Sequence, residues 1–177
     1  MQLAPHPGCV DPPRVGIDVT VARAPSGRLR LAYRLAGDTR RLSIPPPAEP
    51  RRADGLWQHS CFECFLRIGA GPRYLEFNFS PSGAWAAYGF SGYRAGMEPS
   101  DDDQVPPAVW RVGEGLVALD VELPVDLPPG SALAIAAVVE RDDGALSHWA
   151  LHHASGAADL HHPSAFVVEL PPMETAA

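Results

Sequence analysis

The chain has 177 residues, 46% hydrophobic and 20% charged, which is globular composition with enough apolar material for a real core and too much for a disordered chain. Its 20 Pro and 16 Gly exclude a long-helix bundle, because Pro breaks helix interiors and Gly weakens them. The formal net charge of -7 argues against a nucleic-acid surface, which is normally basic.

Residues 1–13, with Pro5, Pro7, Pro12 and Pro13, read as a flexible tail without a secretory h-region. Alternating apolar residues predict strands over 15–24 and 28–35, joined at Ser26-Gly27, and a short one over 40–44. Pro45-Pro46-Pro47 opens an extended connection. Strands follow over 61–68, 73–80 and 83–90. The segment 91–107 reads as a polar loop. Its acidic run Asp101-Asp102-Asp103 suits a solvated loop or calcium, but the spacing is not that of an EF-hand. Further strands are predicted over 108–113, 116–123, 132–140, 145–151 and 165–170. The pattern predicts an all-β fold, an antiparallel β-sandwich of about ten strands. One domain over 14–172 is expected, with a C-terminal tail over 173–177. No stretch approaches the roughly 20 apolar residues of a membrane helix, and a cytoplasmic location is expected.

The middle of the chain predicts a register. A turn at Gly69-Ala70-Gly71-Pro72 that pairs Ile68 with Arg73 sets Phe62 against Phe79, Cys64 against Phe77 and Leu66 against Leu75. The opposite face then pairs Glu63 with Asn78 and Phe65 with Glu76. A turn at Ser80-Pro81-Ser82-Gly83 that pairs Ser80 with Gly83 would place Trp85 beside Asn78 and Glu63. An indole beside a carboxylate and an amide suits a polar ligand, the ring stacking and the polar groups orienting. Trp57 and His59 share the parity of Glu63, and Tyr74 and Glu76 join from the neighbouring strand. The other reading is a solvent-facing sheet whose Trp is covered by a loop.

Of three cysteines, Cys61 and Cys64 form a C-x-x-C, the spacing of redox and zinc motifs. On a strand that offset points the two thiols to opposite faces, and no second pair completes a zinc site. Five of the seven His fall between 148 and 162. His153, His161 and His162 are candidate metal or haem ligands, although the side chains of adjacent His161 and His162 diverge in an extended chain. The alternative is that they anchor loops. No catalytic residue is assigned. There is no nucleophile elbow at Ser80 or Ser82, and i, i+2 neighbours such as His59 and Cys61 are poor hydrogen-bond partners on a strand. All 14 basic residues are Arg, so lysine-based chemistry is excluded and any cation that meets an anionic ligand is an Arg.

Four segments carry a resemblance: Gly55-Leu-Trp-Gln-His-Ser-Cys-Phe-Glu63, Tyr74-Leu-Glu-Phe-Asn-Phe-Ser-Pro-Ser-Gly-Ala-Trp-Ala-Ala-Tyr88, Gly92-Tyr-Arg-Ala-Gly-Met97 and the tail from His153 to Phe166. From about Asp54 onward the chain resembles the bacterial DOMON-like domain proteins, which are related to family 9 carbohydrate-binding modules and to the cytochrome domain of cellobiose dehydrogenase. The resemblance implies a jelly-roll, immunoglobulin-like β-sandwich that holds a sugar or a haem on one sheet. The residues matching the group are Trp57, His59, Glu63, Glu76, Asn78, Trp85, Tyr93, Arg94, His153, His161 and His162. For a sugar, Trp57 and Trp85 would stack, while Glu63, Glu76, Asn78 and Arg94 would bond to hydroxyls or an anionic group. For haem, Met97 with His161 or His162 would be axial. Three functions are therefore carried forward: a binder of a carbohydrate or related small polar molecule, a haem or divalent-metal protein, and an enzyme with Glu63 and a His as acid and base.

Overall fold

The computed structural model describes residues 1–24, 26–100, 106–125, 128 and 130–170. The acidic run at 101–103 and the tail at 173–177 lie outside the described residues. Thirteen strands hydrogen-bond into one curled, mixed sheet: β1 Gln2–Pro5, β2 Val15–Arg23, β3 Leu29–Gly37, β4 Arg51–Arg52, β5 Cys61–Arg67, β6 Tyr74–Phe79, β7 Ala84–Phe90, β8 Glu98–Pro99, β9 Ala108–Gly113, β10 Leu116–Leu123, β11 Ala132–Glu140, β12 Leu146–Ala150 and β13 Val168–Glu169. Eleven follow the order β4-β7-β6-β5-β11-β12-β1-β2-β3-β10-β9, while β13 adds to β11 and β8 to β7. The β4–β7 pair is parallel; the other pairs are antiparallel. Among the described residues, no helix is long and apolar enough to cross a membrane.

Two differences from the sequence reading concern short pieces. The expected N-terminal tail contains β1, which pairs with β2 through Gln2 and Leu3 and with β12 through Ala4 and Pro5. Proline density hid it, yet Pro5 stands at the strand's last position, where a missing N–H is tolerated. The expected strand over 40–44 is reduced to a single bridge between Leu42 and Arg141.

The arm β1-β2-β3-β10-β9 curls over the arm β4-β7-β6-β5-β11-β12. One core results, drawing Ile17, Leu31, Leu35 and Leu119 from the first arm and Phe62, Leu66, Phe77 and Leu133 from the second. Tyr33 stacks on Phe62 at 4.7 Å between ring centroids, and its hydroxyl donates to the Glu63 carbonyl at 2.7 Å. The outer face of the second arm is also buried. Cys61, Phe65, Tyr74, Ala86, Tyr88, Phe90, Ala134 and Val138 form a second cluster there, under Leu160 and Ala165 of the C-terminal segment. Cys61 thus faces outward and Cys64 inward, and both are free thiols.

The β5–β6 register is the expected one, with Glu63 opposite Asn78 and Phe65 opposite Glu76. The β6–β7 register is displaced by one residue: Phe79 pairs with Trp85, Asn78 with Ala86 and Glu76 with Tyr88. Ser80 N–H donates to Ala84 O at 2.8 Å, so the connection is the three-residue loop Pro81-Ser82-Gly83. Gly83 has φ 91°, the left-handed residue that such hairpins require. A Cβ there would also meet Ala48 O at 2.9 Å. Gly83→Ala is therefore expected to destabilise the fold by about 1–3 kcal/mol. Urea unfolding checks this, and an unchanged midpoint would refute the loop geometry.

Candidate functional site

The site lies on the outer face of the second arm. Strand parity aims Glu63 and Phe65 of β5, Tyr74 and Glu76 of β6, Phe90 of β7, Val138 of β11 and His148 of β12 the same way. Two loops build walls on that floor. A 3-10 turn over Leu56–Gln58 brings in Trp57, and the C-terminal segment brings in Ala158, Leu160 and His161. With Arg94 and Met97 they enclose a half-open cavity of about 300 Å³.

Its floor is acidic and buried. Glu63 is 2% exposed and Glu76 3%. Burial pushes the Glu63 carboxyl up to about 8, and the neighbouring Glu76 charge adds to the rise. Burial raises Glu76 too, while the Asn78 amide and Arg94 pull it back. Asn78 Nδ2 donates to Glu76 Oε1 at 2.7 Å, but Asn78 Oδ1 is buried without a partner among the described residues. Among the described residues, the one hydrogen bond to the Glu63 carboxylate comes from Cys61 Sγ at 3.4 Å, a weak donor.

A chain of hydrogen bonds fixes His161. Arg94 N–H donates to Tyr74 Oη at 3.3 Å, and Tyr74 Oη shares a hydrogen bond of 2.9 Å with His161 Nδ1, its direction set by the ring's tautomer. His161 Nε2 lies 3.8 Å from Glu76 Oε2. Burial first, then Arg94, lowers His161 to about 4, so the ring is neutral at physiological pH. Arg94 adopts φ 50° in the tight Gly92–Ala95 turn, an uncommon conformation for a non-glycine residue. Its guanidinium is clamped by Asp159, with Nε and one terminal nitrogen 3.2 and 2.8 Å from Oδ1. Burial alone would raise Asp159, yet hydrogen bonds from Tyr93 and Arg94 hold it below the ordinary carboxylate range.

The structure thus brings Trp57, Glu63, Glu76, Arg94 and His161 together, with Asn78 beside them on the same floor. Trp85 is not there. The one-residue displacement turns it inward, where it joins the core at 4% exposure and lies 5.5 Å below the Arg52 guanidinium. His59 turns away, its Nδ1 2.8 Å from Glu140 Oε2. Tyr93 and Tyr74 line a neighbouring hollow of about 390 Å³ that shares His161 with the main site. The three candidate metal ligands separate. His153 Nε2 bonds to Ala4 O at 2.9 Å, His162 caps the Pro163–Ala165 turn through Ser164, and His161 is held by Tyr74. Among the described residues, no three His, Cys, Asp or Glu side chains converge to hold a metal.

Haem does not fit either. Met97 and His161 both line the cavity, but His161 Nε2 looks at the Glu76 carboxylate and its ring is wedged against Phe65 and Phe90 at 4.9 and 5.3 Å. A porphyrin plane across that nitrogen would have to displace the Glu76 carboxylate and the two rings. Among the site residues that sequence reasoning missed are Asp159, the half-buried partner of Arg94, and the walls Phe65 and Phe90. Phe65 had a signal, since it shares the parity of Glu63. Asp159 had none beyond its nearness to His161.

No family model and no curated protein matches the sequence. In structure the chain is similar to a "putative carbohydrate-binding protein" from Bacteroides uniformis, at a TM-score of 0.61 and 16% identity, over 86% of this chain and 76% of that one. The likeness is one of fold.

Proposed function

We propose that the protein binds a small hydroxyl-rich ligand of the carbohydrate class in the cavity floored by Glu63 and Glu76. The observation that carries this reading is the meeting of an indole, Trp57, with two buried carboxylates and a clamped Arg94 around one half-open space. An indole covers the apolar face of a sugar ring, and carboxylates accept from its hydroxyls. The fold likeness to a protein named for carbohydrate binding supports the same reading. So does the curled sheet, whose two arms around one core we read as a β-sandwich of the DOMON-like kind.

Calorimetric titration with a panel of neutral and charged monosaccharides tests the proposal. At least one is expected to bind, and Trp57→Ala is expected to weaken that binding about tenfold, the loss of one stacked ring contact. Trp57 is 36% exposed, so the variant keeps its fold. No binding to any sugar, or equal binding by Trp57→Ala, overturns the proposal.

A further inference from the structure

The cavity is unbalanced in charge and in hydrogen-bond donors. Glu63, Glu76 and Asn78 Oδ1 all present acceptor oxygens, and below about pH 8 Glu63 also holds a proton. Among the described residues the other groups that reach these oxygens are few: Cys61 Sγ to Glu63, Asn78 Nδ2 to Glu76 and, at a longer 3.8 Å, His161 Nε2 beside Glu76. Arg94 redresses the charge only in part: it acts on Glu76, but Asp159 holds its guanidinium and cancels its charge locally. His148 and His161, the remaining titratable groups that line the space, are both shifted toward the neutral form by burial. Trp57, Phe65 and Phe90 add rings to the lining and Met97 a thioether, beside the aliphatic Val138, Ala158 and Leu160. Buried acceptors framed by aromatic faces are the surroundings that an organic ammonium group seeks, since ring faces and carboxylates both attract positive charge.

We infer that the ligand carries a protonated amine, seated on the Glu63–Glu76 pair against the Trp57, Phe65 and Phe90 rings. The inference rests on the carbohydrate reading and narrows it to amino sugars. The ammonium supplies donors to the carboxyl oxygens of the floor and replaces the proton that the pair holds at neutral pH. Binding should therefore release a proton to the buffer, which makes the heat of binding depend on the buffer's own ionisation heat. The charged groups facing the pair are Arg94 with Asp159, and the neutral titratable ones are Tyr33, Cys61, Tyr74, Tyr88, His148 and His161.

The test is calorimetry at neutral pH with glucosamine, galactosamine and mannosamine, each beside its neutral hexose and its N-acetyl form, and with ethanolamine as an amine without a ring. One hexosamine is expected to bind at least about tenfold tighter than both uncharged counterparts, equivalent to one added charge contact, with proton release. The Glu63→Gln and Glu76→Gln pair, made together, is expected to erase that preference. The wild-type proton release stands as evidence even if the double variant fails to fold. A neutral hexose or N-acetyl form that binds as tightly as its amine overturns the inference and leaves the carbohydrate reading standing. Ethanolamine binding with proton release, and no sugar binding, upholds the amine and overturns the carbohydrate reading. Binding of no probe overturns both.

Discussion

Trp85→Ala is expected to cost about 3–5 kcal/mol of folding stability while leaving ligand affinity in the folded protein unchanged. The indole is 4% exposed and belongs to the core with Phe77 and Phe79. Removing it leaves a cavity that the sheet cannot close, because Arg52 above the ring is tied to the carbonyls of Ala87 and Ser100 at 2.8 and 3.2 Å. Trp85→Phe should cost less than the alanine change. It keeps much of the apolar volume and removes an indole N–H that is buried without an acceptor among the described residues. Urea unfolding and calorimetry on the same samples separate the two properties. A Trp85→Ala variant of normal stability that no longer binds sugar would return Trp85 to the site and refute the register seen between β6 and β7.

Glu63→Gln is expected to stabilise the protein at alkaline pH and to flatten its pH dependence. The sign follows from proton counting. Glu63 ionises near 4.5 when unfolded and near 8 when folded. Between those values the folded state holds a proton that the unfolded state lacks, so stability falls as pH rises, by about 1.4 kcal/mol per unit for one such group. The contribution is fully present below the unfolded value and is lost by the time pH passes the folded one. Glu76, raised in the same sense, adds to the slope. Glutamine cannot ionise, so the variant gains most at about pH 8 and least at about pH 5. Denaturation midpoints across that range decide the matter, and a variant that keeps the wild-type slope would show that Glu63 is ionised throughout.

These two residues also show what was legible in the sequence. Glu63 was placed correctly because β5 and β6 alternate strongly. Phe62, Cys64 and Leu66 against Phe79, Phe77 and Leu75 admit one register, and a shift would bury Glu63 in the core. Trp85 was misplaced because β7 alternates weakly. Ala84, Ala86 and Ala87 suit either face, so apolar pairing is satisfied in both registers. The decision passed to Gly83, whose positive φ makes a three-residue loop rather than a two-residue one. Loop residues were harder. Trp57 and His161 reach the cavity from segments without periodicity, and His59 is drawn off by Glu140, a partner 81 residues away. The His cluster at 148–162 looked like one site because proximity in sequence was the one available measure. The chain doubles back there, and Ala4, Tyr74 and Ser164 each claim a different ring.

The placement of β1 sets a constraint on how the chain assembles. Its first two residues hydrogen-bond to β2, which is close in sequence, and its last two to β12, which is synthesised near the end. The contact that joins the two arms therefore closes a loop of most of the chain, the kind of non-local pairing that slows folding. Until β12 arrives, the far edge of β1 and the apolar inner faces of both arms stay open to other chains. Loss of residues 2–5 would leave β2 and β12 as two bare edges facing one another. A shortened chain of that kind would collect in aggregates during refolding, even though every cavity residue is still encoded.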